Sequence, residues 1–135
     1  MENLTKGIAN KMSGSPPSKL VNGRVFEDMA PAKTAFPYIV WFIVSSVKEK
    51  TFTEEFRNTS VQFSIFSSST SSGEVKAIYK QLSLLLDECS LRMDSGTVLR
   101  MYESNLVTMV ESVTTPTGES MVRHYAVDFD ILTES

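Results

Sequence analysis

The chain has one cysteine, Cys89, among 135 residues. A single thiol excludes an internal disulfide, a cysteine zinc cluster and a redox pair, and it fits a reducing or redox-indifferent compartment. Positive charge is scarce too. Thirteen Lys and Arg stand against 16 Asp and Glu, for a net charge of -3 and a pI near 5.2. Such a balance gives no long-range attraction for nucleic acid or for anionic membranes, and neither is expected as a partner. Long apolar runs are missing: the longest, Phe36 to Val44, has 9 residues, against the roughly 20 that a membrane helix needs. The N-terminus lacks the basic flank, apolar stretch and small-residue cleavage site of a signal peptide, so a soluble, unsecreted chain is expected. In that setting Asn3-Leu4-Thr5 and Asn58-Thr59-Ser60 match the glycosylation sequon by chance. HExxH, a glycine-rich phosphate loop with lysine, and GxSxG are all absent. No catalytic, cofactor-binding or metal-binding residue is therefore assigned.

What is present is a foldable composition, 41% hydrophobic and 21% charged. The length predicts a single domain over residues 1–135, because half-length units bury too little surface to stand alone. Residues 1–19 read as a short helix, Glu2 to Met12, with Leu4, Ile8 and Met12 on one face, followed by a Pro/Ser-rich tether at Ser13 to Ser18. Leu20 to Phe26 reads as a short strand or as a turn around Asn22-Gly23. Pro37 to Val44 is the clearest strand, rich in β-branched and aromatic residues and apolar on both faces. Thr59 to Phe66 alternates, with Val61, Phe63 and Ile65 on one side. Between them Lys48 to Asn58 mixes charges of both signs and reads as a long solvated loop. The serine cluster Ser67 to Ser72 supplies a helix cap at Ser71 or Ser72. The main helix follows, with Val75, Ile78, Leu82, Leu85, Leu86 and Cys89 at helical spacing. Asp94-Ser95-Gly96 marks a turn, Thr97 to Tyr102 and Leu106 to Val113 are strands, Thr114 to Ser120 is a loop, and Met121 to Leu132 closes the pattern. These elements predict an α+β fold, an antiparallel or mixed β-sheet with helices packed on one face.

His124, Asp128 and Asp130 share one side of the last strand and carry the right atoms for a metal or an acid–base pair. At about 3.3 Å per residue, however, an i, i+4 spacing separates side chains by about 13 Å, so the row reads as a polar sheet face or a subunit contact. Cys89 lies on the apolar helix stripe and reads as a buried small hydrophobe. Tyr38, Trp41 and Phe42 have no basic residue near them until Lys48, which does not suit a stacking platform for nucleic acid. Trp41 fits either the core or an interface. The two-sided strand is the positive signal, since a small domain covers a second apolar face most economically with a partner subunit.

Gly23-Arg24-Val25-Phe26, the strands Phe36 to Val40 and Val61 to Ser67, the helix Glu74 to Glu88 and the strand His124 to Ile131 follow one another in a familiar order. In this the chain resembles the tail-terminator and tail-completion proteins of long-tailed, lambda-like phages, including prophage-encoded members. The resemblance covers Gly23 to Leu132. It implies a structural, non-enzymatic virion protein without cofactor. It also implies assembly of copies into a hexameric ring in the virion tail, formed in the host cytoplasm. Such a ring stops polymerisation of the tail tube protein and prepares joining to the head-tail connector protein. Tyr38, Trp41, Phe42, Lys50, Glu54, Arg57, Thr117 and Glu119 are the candidate interface residues. The alternative is another head-tail connector component or a small non-catalytic protein-binding module.

Overall fold

The computed structural model describes residues 2–51, 53–91, 93, 96–115 and 118–134. In chain order the elements are α1 (Glu2–Met12), α2 (Pro16–Leu20), β1 (Val25–Glu27), β2 (Tyr38–Lys50), β3 (Glu55–Ser67), α3 (Gly73–Leu86), β4 (Thr97–Thr115) and β5 (Gly118–Glu134). The strands form one sheet in the order β1-β2-β3-β5-β4. All neighbours are antiparallel except β1, which runs parallel to β2. The fold is α+β with a mixed sheet, as the patterning predicts.

Alternation along each strand sorts the sheet into two faces. Ile39 and Trp41 of β2 lie opposite Ile65 and Phe63 of β3, which in turn lie opposite Tyr125 and Val127 of β5. This row packs with Leu4, Ile8 and Met12 of α1 and with Val75, Ile78, Leu82 and Leu86 of α3 into one buried cluster. Phe63 and Phe129 meet edge to face at 5.6 Å within it. Each large apolar side chain buried here stabilises the fold by roughly 1.5–3 kcal/mol.

Several local expectations change. Residues 13–18 are not a tether: Pro16 and Pro17 occupy the first turn of α2, where a missing N–H costs nothing. Ser15 caps that turn, its Oγ donating to the Met12 carbonyl at 2.6 Å and accepting from Ser18 N–H at 3.4 Å. Of the two readings for Leu20 to Phe26, Asn22-Gly23 is the turn, and it ends α2. Both residues have positive φ, 53° and 76°, and Gly23 N–H reaches back to the Ser18 carbonyl at 2.8 Å. As a result β1 shrinks to three residues.

The charged stretch Lys48 to Asn58 is mostly strand, with only 51–54 left between β2 and β3. Three of its charged side chains, Lys48, Glu55 and Arg57, find partners across the hairpin. Lys48 Nζ lies 2.9 Å from Glu55, and Arg57 donates to Ser46 Oγ at 3.1 Å. Likewise β4 is continuous from Thr97 to Thr115, with irregularities between Val98 and Arg100 and between Glu103 and Asn105 absorbing the break expected near Tyr102. The loop expected at Thr114 to Ser120 is largely ladder, paired as far as Thr115 with Gly118. Before α3, Ser67, Ser69 and Ser71 each accept from the N–H two residues on, at 3.1–3.3 Å. Ser72 is the N-cap residue and makes no side-chain cap bond.

Candidate functional site

Helices cover one face of the sheet, so the other is the surface to examine. Even-numbered residues of β3 and β5, and of β2 as far as Phe42, line it. Phe36 packs tilted against Tyr38 (ring centroids 5.3 Å), Tyr38 stacks on Phe66 (4.9 Å) and Phe66 on His124 (4.3 Å). His124 Nδ1 then meets Glu111 of β4 at 3.2 Å. Four rings thus run across three strands and end on a carboxylate. Arg24 holds the approach to this row, donating to the Phe36 and Pro37 carbonyls at 3.1 and 3.0 Å. Beside the row, Met29, Val40, Phe42 and Ser64 border an open cavity of about 420 Å³. Burial, with the Glu111 charge second, raises the Tyr38 phenol above its ordinary value.

Of the residues singled out in the sequence, Tyr38 and Phe42 lie half-buried on this open face. Trp41 does not. It is 3% exposed, stacks on Phe63 at 6.0 Å and belongs to the helix-covered core. Strand alternation sends it to the opposite side from Tyr38 and Phe42. Lys50 and Glu54 are exposed at the β2–β3 turn, where Thr51 N–H donates to the Glu54 carbonyl at 2.9 Å. Arg57 is half-buried and tied to Ser46. The bond from Lys48 lowers the Glu55 carboxyl below the ordinary range. Glu119 is exposed near the opposite hairpin and accepts from Ser112 Oγ at 3.4 Å. Thr117 lies outside the described residues. The described candidates therefore divide among the open face, the core that holds Trp41, and two hairpins at opposite ends of the sheet.

The polar row His124, Asp128 and Asp130 lies on the open face, extended along β5. His124 is engaged with Phe66 and Glu111, and Asp128 accepts from Gln62 at 2.9 Å. Among the described residues, no three His, Cys, Asp or Glu side chains come together as metal ligands. Cys89 contacts Met101 at 3.6 Å, and burial raises its thiol pKa, which disfavours the reactive thiolate.

Sequence reasoning missed the polar joint between α3 and β4. Glu103, at a β4 irregularity, accepts from Tyr79 Oη at 2.7 Å and Ser83 Oγ at 2.9 Å, while its N–H donates to Asp87 at 2.9 Å. The four-residue spacing of Tyr79 and Ser83 on one helix side was the available signal. It named no partner, because the partner lies 24 residues from Tyr79. The ring stack was missed for the same reason: Phe66 and His124 are 58 positions apart and become neighbours only through strand register.

Comparison with known proteins adds a family and a fold. The family described as "Tail completion protein gp17" matches residues 12–134. No curated protein sequence matches significantly. A solved chain from the virion of a native gene transfer agent particle superposes with a TM-score of 0.79 at 13% identity, over 99% of this chain and 96% of that one. A second solved chain, also 13% identical, gives a TM-score of 0.55 over 96% and 91%. At these identities the superpositions show a shared fold.

Proposed function

The chain belongs to the family of tail completion protein gp17 and is a structural protein of a phage-type tail, and on that footing we propose that it closes the tail tube. In this reading copies of the chain, as one domain over residues 1–135, form a hexameric ring at the end of the tube. The ring stops addition of tail tube protein and offers a different surface to the head-tail connector protein. The work is done by binding, without catalysis or cofactor. Assembly takes place in the host cytoplasm.

The family match over residues 12–134 carries this reading. The geometry supports it in one respect. A terminator must recognise the tube with one surface and present another outward, and this small sheet holds hairpins at opposite ends. Lys50, Glu54 and Arg57 mark one end, and Glu119 the other. Tyr38 and Phe42 offer an apolar patch to a neighbouring subunit, and Trp41 supports that patch from beneath. The test is tube polymerisation with purified tail tube protein, viewed by electron microscopy. Added chain is expected to shorten the tubes and leave a ring at one end. Unchanged tube length with bare ends would sink the proposal.

A further inference from the structure

Backbone donors and acceptors left over by a sheet collect on its edges, and each such edge is a template for another strand. Here one edge is the outer side of β4; in its first half the Met101 carbonyl accepts from Glu88 N–H at 2.8 Å and the Glu103 N–H donates to Asp87 at 2.9 Å, so the open stretch runs from Ser104 onward. The other is the second half of β2. β1 pairs only with Ile39 to Trp41, and Asp28 N–H adds one bond to the Trp41 carbonyl at 2.9 Å. From Ile43 to Lys50, β2 has β3 on one side and no strand on the other among the described residues.

β2 carries Lys48, Glu49 and Lys50 at the end of its open stretch and an irregularity between Ile43 and Ser45, but each edge also has an uncharged, exposed apolar segment. Between Ser104 and Val110, β4 carries no charge and no proline, and it exposes Val107 (44%) and Val110 (54%). Its irregularities are confined to the first half, so the ladder from Asn105 onward is regular. β2 exposes Val44 (54%) and Val47 (57%) beside its own unpaired stretch. The directions also match. The ladder β2-β3-β5-β4 is antiparallel at each step, so β2 and β4 run in opposite senses. A second copy set alongside in the same orientation therefore brings its β4 antiparallel to the first copy's β2. Charge agrees as well: Lys48 and Lys50 against Glu49 leave the β2 segment at +1, and Arg100 against Glu103 and Glu111 leaves β4 at -1.

We infer that the outer edge of β4 in one copy pairs with the Ile43 to Lys50 edge of β2 in the next, so that the sheet continues from subunit to subunit. This rests on the ring reading and names the contact that builds the ring. Because the two edges differ, the contact is head-to-tail, the kind that propagates and closes, whereas β4 against β4 would stop at a dimer.

Val47→Lys and Val107→Lys test it. Both positions are exposed, so each variant is expected to keep the wild-type circular dichroism spectrum and thermal transition. In sedimentation velocity up to millimolar concentration, the wild-type chain associates beyond a dimer, and each variant alone associates more weakly by on the order of tenfold or more. Mixing the two variants restores a dimer and nothing larger, since one good β2 edge meets one good β4 edge. Wild-type association by both variants would overturn the inference and leave the ring standing on another surface. A wild-type chain that stays monomeric at millimolar concentration would overturn it as well. Bare tube ends in the polymerisation assay would instead count against the ring itself.

Discussion

At the scale of single residues, the side chains that matter most are those joining layers. Glu103 receives two side-chain donors from α3, and replacing it by Leu leaves Tyr79 and Ser83 without their acceptor. We expect a loss of about 1–3 kcal/mol in urea unfolding, and a smaller loss for Glu103→Gln, which keeps an acceptor oxygen. The same bond, reinforced by burial, raises the Tyr79 phenol pKa from 10.0 to about 12. Since the folded value lies above the ordinary one, this contribution is complete below pH 10 and is lost as pH rises towards 12. Tyr79→Phe should flatten the fall in urea midpoint over that interval, and an unchanged slope would contradict the assignment. Trp41→Ala should cost about 3–5 kcal/mol, as truncation of a buried aromatic does, and the loss should appear in the monomer rather than in docking. The sequence left Trp41 open between core and interface because both faces of its strand are apolar. Only the placement of α1 and α3 decides which face is covered.

Elements were legible where periodicity was long, and less so where charge or proline interrupted it. α1 runs from Glu2 to Met12 as its four-residue spacing predicts, and the core row of β3 is the one that alternation picks out. Lys48 to Asn58 was misread because mixed charge describes a solvated loop and a salt-bridged ladder equally well. The register Lys48 to Arg57 and Lys50 to Glu55 separates them, and register is a long-range property. Arg57→Glu should therefore disturb the hairpin itself, through loss of the Ser46 bond and repulsion by Glu55. Glu54→Lys, in the exposed turn, should leave stability within about 0.5 kcal/mol. Thermal melts of the two variants would separate these outcomes, and equal losses would refute the distinction. Proline misled in the same way at Pro16-Pro17, since it stops a helix in the middle and starts one at the first turn. Ser15→Ala, which removes the cap of α2, should cost about 1 kcal/mol in urea unfolding.

At the scale of the molecule, one buried cluster draws on α1, α3 and the strands β2 to β5, so these parts should lose structure together. Trp41, the sole tryptophan, sits inside that cluster and reports on it directly. Its fluorescence and the far-ultraviolet circular dichroism are expected to give coincident urea transitions, and separated midpoints would divide the chain into independent units. The long β4–β5 hairpin and the β2–β3 hairpin leave the sheet at opposite ends, and β3 and β5 are joined between them by twelve consecutive register pairs. A pull applied between the two ends acts along the strands. It loads those rungs in shear, all at once, instead of peeling them open one after another. The strand direction is therefore the stiff axis of the molecule, suited to passing tension from one end to the other without coming apart.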